Sequence, residues 1–224
     1  SGITVTSDIS YGAHERNLLD VHVADGGVAG APTVIFFHGG GFVRGHKNVA
    51  GDVLHGNVAN FFVRNGMIGI NATYRLAPEA KWPDGAEDVR AALAWARENI
   101  AHYGGDPDKI FLLGQSAGAS HVATYVLRKQ MHPNENGPGC AGAICMSGVY
   151  GISAENAAPN QIAYYGEPSD KYAEMKVLEN VDHGDTPFML STADFDMFGF
   201  EKGAINLLAE IAEKFGIMPR YKQM

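Results

Sequence analysis

The chain has 224 residues, 46% of them hydrophobic and 19% charged, with a formal net charge of −8. That length supports one sizeable core, so a single domain over 1–224 is the expectation. An acidic balance with no Lys/Arg-rich run argues against nucleic acid or another polyanion as partner.

Cys140 and Cys145 are the only cysteines, too few for a disulfide framework and without the spacing of a zinc site. Both read as small buried hydrophobes at a strand. No apolar stretch approaches the ~20 residues of a membrane span, and Ser1-Gly2-Ile3 opens the chain without a basic n-region or an apolar h-region. Cytoplasmic localisation is expected on that ground. A homodimer stays open. The 28 glycines suit a fold with many tight strand-to-helix turns better than a helical bundle.

In chain order, residues 3–10 and 16–24 alternate apolar and polar side chains and read as two antiparallel strands joined near Tyr11-Gly12. Thr33-Val34-Ile35-Phe36-Phe37 is a continuous apolar run, as in a strand buried on both faces. It ends in His38-Gly39-Gly40-Gly41-Phe42. Residues 47–65 read as a helix closed by Gly66, and residues 67–72 as a second buried strand. Asp84 is placed to cap the next helix, on which Val89, Leu93, Ala96 and Ile100 repeat at helical spacing.

Ile110-Phe111-Leu112-Leu113 forms the central strand, followed by a helix from 117 to about 129. Residues 141–149 give another strand. A poorly periodic segment over about 151–185 comes next, then a strand at 187–192. A helix carrying Ala204, Leu208, Ile211 and Phe215 stops at Gly216, and residues 220–224 open one more strand. Strands alternating with helices imply a mostly parallel sheet covered on both faces.

Between the central strand and its helix stands Gly114-Gln115-Ser116-Ala117-Gly118. A G-x-S-x-G at such a junction is the pattern of a nucleophile elbow, where the serine takes a strained conformation and the glycines let strand and helix cross closely. Three glycines after the Phe36-Phe37 strand cost backbone entropy. They allow the backbone to approach a ligand with its N–H groups turned outward, at a strand end where ligands of α/β sheets sit.

Together with Tyr74-Arg75-Leu76-Ala77-Pro78-Glu79 and Thr192-Ala193-Asp194-Phe195-Asp196, these motifs resemble the α/β-hydrolase fold. More narrowly, they resemble the HGGG-type carboxylesterases of the hormone-sensitive-lipase-like group and small bacterial esterases and arylformamidases. The resemblance implies that Ser116 attacks a carbonyl to give an acyl-enzyme that water cleaves. It implies that the N–H groups of Gly40, Gly41 and Ala117 hold the oxyanion, and that Asp196, rather than Asp194, is the acid. His38 is expected to organise its loop, His121 to pack under the elbow, and Arg75 to form an ion pair with Glu79 or Asp88. Phe42, Tyr164 and Tyr165 are candidate pocket walls for a short-chain or aromatic acyl group, with a small or absent cap. No cofactor or metal motif is present.

The resemblance also implies a histidine after the acid, in the order Ser, Asp, His. None follows Asp196; the last histidine is His183. Three explanations stand: a chain cut short before the histidine loop, a substitute such as His183 or His121, or a non-catalytic small-molecule-binding protein on the esterase fold. Ester and formamide hydrolysis need the same machinery, so the motifs leave both substrates open.

Overall fold

The structure is a computed structural model that describes residues 2–49, 54–194, 196 and 199–224. Its frame is an eight-stranded sheet in the order β1-β2-β4-β3-β5-β6-β7-β8. The strands are β1 (Ile3–Ser10), β2 (Leu18–Ala24), β3 (Ala31–Phe37), β4 (Ile68–Ala72), β5 (Gly105–Gln115), β6 (Gly142–Met146), β7 (Phe188–Thr192) and β8 (Arg220–Gln223). β1 and β2 pair antiparallel, as does β2 with β4. From β4 to β8 all pairs are parallel. The expected α/β-hydrolase architecture is therefore present, and residues 220–223 do form a further strand.

Continuous apolar runs make the central strands because both of their faces are covered. In β3, Ile35 and Phe37 enter the core under the helices of one face, whereas Val34 and Phe36 enter a smaller cluster on the other. The helices are α1 (Gly56–Arg64), α2 (Asp84–Asn99), α3 (Ala117–Leu127), α4 (Pro159–Tyr165), α5 (Tyr172–Met175) and α6 (Phe200–Phe215). α3 is buried along its whole length, as its run of small and apolar residues requires.

Several local expectations are corrected. The helix expected over 47–65 spans Gly56–Arg64, and residues 50–53 lie outside the described ones. Lys47 is instead drawn into the protein, its ammonium 2.7 Å from both Asp8 and Asp20. Asp84 makes no side-chain cap; Pro83 holds that position. The Asp84 carboxylate accepts the Lys81 N–H at 2.8 Å and an Arg75 N–H at 3.1 Å. The Arg75 partner at the core is Asp88, at 2.9 Å, while Glu79 pairs with His14. β6 stops at Met146, short of the expected 149, because Ser147 turns the chain at φ +49°. Cys145 is buried, and Cys140 is only half-buried.

Candidate active site

β3 and β5 lie side by side in register, Phe37 opposite Gly114, yet their continuations leave in opposite directions, toward β4 and toward β6. A crevice opens where strand order reverses in this way. The His38-Gly39-Gly40-Gly41 loop and the Ser116 turn therefore emerge beside each other.

Ser116 stands at φ +53°, ψ −117° between β5 and α3, a conformation a non-glycine residue adopts only under constraint. The flanking glycines show the constraint. A Cβ on Gly118 would lie 2.2 Å from the Phe37 carbonyl oxygen, and one on Gly114 would lie 2.4 Å from that of Gly118. The Ser116 N–H is donated to the Met146 carbonyl at 2.8 Å, which ties the turn to β6. Ser116 itself is partly exposed, whereas Ala117 is buried.

The glycine loop touches this turn. A Cβ on Gly39 would stand 3.1 Å from the Ser116 Cβ. Because C=O and N–H point in opposite directions across a trans peptide, tethered carbonyls fix where the N–H groups face. The Gly39 oxygen is 2.7 Å from His38 Nδ1, and the Gly40 oxygen accepts the N–H groups of Val43 and Arg44. Among the described residues, no backbone carbonyl accepts from Gly40, Gly41 or Ala117.

Asp196 lies on the loop leaving β7. Its Oδ2 accepts the Ser147 hydroxyl at 2.5 Å and the Ala193 N–H at 2.8 Å. Asp194 is exposed and donates its backbone N–H to the Met224 carbonyl, and no described group holds its carboxylate. Ser147 escaped the sequence reading; its only signal was a small polar residue at the end of a strand.

Three of the nine histidines are the ones placed nearest the motifs or weighed as a base. His38 is buried beside Tyr74 and held down to about 3, chiefly by desolvation. His121 is likewise buried, held down to about 3 by desolvation, with Nδ1 3.3 Å from the Tyr164 hydroxyl. His183 bonds Thr186 ahead of β7, and its N–H reaches the Leu127 carbonyl at the far end of α3. It thus lies at the opposite end of α3 from Ser116. No described histidine bonds Asp196.

Phe42, Tyr164 and Tyr165 cluster beside the glycine loop and are all buried. The Tyr164 hydroxyl accepts the Gly85 N–H at 3.2 Å. A cavity of about 580 Å³ is bounded by Gly148, Tyr150, Ile152, Gln161, Phe200 and Asn206; neither Ser116 nor Asp196 lines it. Among the described residues, no cluster of His, Cys, Asp and Glu could hold a metal, and no helix is long and apolar enough to cross a membrane.

The chain is similar in sequence and in fold to known proteins. Esterase LipQ from Mycobacterium tuberculosis is 41% identical over 125 residues, covering 54% of this chain and 29% of that protein. The probable isoprenylcysteine alpha-carbonyl methylesterase ICMEL1 from Oryza sativa subsp. japonica is 32% identical over 150 residues, 66% of this chain and 34% of its own length. The chain thus spans about a third of the length of these relatives. Among solved structures, the thermophilic carboxylesterase EstE1 from a metagenomic library superposes with a TM-score of 0.74 at 21% identity, over 99% of this chain and 77% of that one. A family model described as the alpha/beta hydrolase fold matches residues 34–198, from inside β3 into the loop after β7, and with the Ser116 turn and glycine loop both inside that match the chain belongs to the α/β-hydrolase fold family.

Proposed function

We propose that this chain carries the nucleophile, oxyanion hole and acid of a serine carboxylesterase. The observation that carries the reading is Ser116, in left-handed backbone, against a glycine loop whose carbonyls are tethered and whose N–H groups are left without backbone acceptors. In the reaction, Ser116 Oγ adds to the ester carbonyl as its proton passes to a base. The negative oxygen is stabilised by the N–H groups of Gly40, Gly41 and Ala117. Collapse expels the alcohol, which takes up the proton, and water repeats the sequence to release the acid. Each such donor is worth about 2.7–4 kcal/mol in the transition state.

Asp196 is the acid in this reading, supported by the two donors that fix its carboxylate. The base is a histidine supplied from outside the 224 residues, on the Asp196 side of the site. Support comes from the burial of His38 and His121 and from the position of His183. A short-chain or aromatic carboxylic ester is the proposed substrate, in keeping with the esterases that the chain resembles.

A fluorophosphonate probe tests the reading on the protein at its natural length. Rapid labelling that is lost in Ser116→Ala and accompanied by turnover of short p-nitrophenyl esters is expected. Absence of label with the histidine in place would overturn it, and ligand binding without turnover would mark a binding protein instead. On the 224 residues alone, labelling should be slower by roughly 10³-fold or more, since only the oxyanion hole and binding then act.

A further inference from the structure

Gly40, Gly41 and Phe42 stand at φ +136°, +61° and +71°, three consecutive residues in the half of φ/ψ space that L side chains avoid. Phe42 is bulky, so contacts from outside the loop must hold it there. They come from α4, in the segment whose sequence was least informative. Asn160 Nδ2 donates to the Gly41 carbonyl at 3.0 Å, and a Cβ on Gly41 would lie 3.1 Å from that nitrogen. The Tyr164 ring stacks on Phe42 with centroids 4.8 Å apart and planes at 5°. α4 is in turn moored to the core, with the Trp82 N–H on the Tyr164 carbonyl at 3.0 Å.

We propose that Asn160 is a positioning residue of the oxyanion hole, pinning the Gly41 carbonyl and so holding the backbone turn that carries the Gly40 and Gly41 N–H groups. The Gly39 and Gly40 carbonyls are tethered from within their own neighbourhood, by His38 and by Val43 and Arg44. Gly41 alone depends on a side chain 119 positions away in sequence. α4 is then a brace for the catalytic loop, and the Tyr164 and Phe42 rings serve that brace. The catalytic half of this inference rests on the esterase reading; the conformational half does not.

Two measurements separate them. By hydrogen exchange on the 224-residue chain, Asn160→Ala should speed exchange of the Val43, Arg44 and Ala77 amides, whose acceptors are Gly40 and Phe42, by roughly tenfold or more with β5 unchanged. Unaltered exchange at those three amides overturns the pinning, whether or not the protein is an esterase. On the protein at its natural length, Asn160→Ala and Asn160→Asp should each lower kcat roughly tenfold or more with KM within about twofold. Affinity for a trifluoromethyl ketone, which forms a tetrahedral adduct, should fall in parallel. A merely structural role would lower the melting temperature without that split. Wild-type kcat in Asn160→Asp, which keeps the shape but not the donor, overturns the catalytic half. If the wild type hydrolyses no ester, the esterase reading fails and the exchange result still decides the brace.

Discussion

The Ser147 hydroxyl donates to Oδ2 of Asp196 at 2.5 Å, across a gap of 49 residues. Ser147 is held at φ +49°, and its N–H is given to the Ser191 carbonyl at 2.8 Å on β7. Strands β6 and β7 thus fix the donor and the loop that carries the acceptor as one unit. A hydrogen bond to a charged group contributes roughly 1.5–3 kcal/mol. Under the proposed acid role, Ser147→Ala should lower kcat/KM by roughly tenfold or more, with the Ser116 label still formed and a change in melting temperature of only a few degrees. Steady-state kinetics alongside thermal unfolding checks this.

Gly118→Ala should be among the most damaging single-methyl changes in the chain. Its new carbon would sit 2.2 Å from the Phe37 oxygen and 2.6 Å from that of His38, both backbone atoms that cannot step aside. Overpacking of this kind costs roughly 3 kcal/mol, a fall of roughly 6–12 °C in melting temperature for a domain of this size. Calorimetry reads it directly, and an unshifted transition would mean that α3 crosses β3 less closely than described.

Acid should unfold the protein through its histidines. His38 and His121 titrate near 6.5 in the unfolded chain but are held to about 3 in the fold. The stability their neutral forms contribute is complete above pH 6.5 and is lost as pH falls from there toward about 3, because the unfolded state binds the protons first. Each adds a slope of at most about 1.4 kcal/mol per pH unit in that window. In His121→Gln, which cannot be protonated, the urea midpoint should decline less steeply between pH 6 and 4 than in the wild type.

Lys47→Met should be costly although it replaces a charge with an apolar side chain. The ammonium is fully buried between Asp8 and Asp20, and the Asp20 carboxylate is itself almost wholly enclosed. Removing one partner of such a group costs roughly 3–5 kcal/mol because the other charge is left unpaired. Adding Asp20→Asn to Lys47→Met should recover part of the loss, and urea titrations of the single and double variants measure the recovery.

Much of this architecture was legible in the residue pattern. The apolar runs of β3, β4 and β5 mark strands covered on both sides, and G-x-S-x-G at a strand-helix junction marks the elbow. What escaped depends on partners remote in sequence. The 47–65 segment has the composition of a helix, but the two carboxylates that draw Lys47 inward belong to β1 and β2. Asp84 looked like a cap until Arg75 was there to claim it. Tyr164 had the look of a pocket wall, yet its hydroxyl and ring are occupied by Gly85, His121 and Phe42. Nothing in the spacing of Asn160 or Ser147 advertises the groups they hold.

Strand β8 does more than extend the sheet beyond β7. The Met224 N–H reaches the Thr192 carbonyl at 2.9 Å, and the Met224 carbonyl accepts the Asp194 N–H at 2.8 Å, so β8 is stitched to the end of β7 and to the residue two positions before Asp196. The carboxylate itself is held by Ser147 and Ala193, and β8 steadies the backbone just ahead of it. A chain that had folded everything except β8 would keep the serine turn but lose the two Met224 hydrogen bonds that steady the backbone leading to the proposed acid.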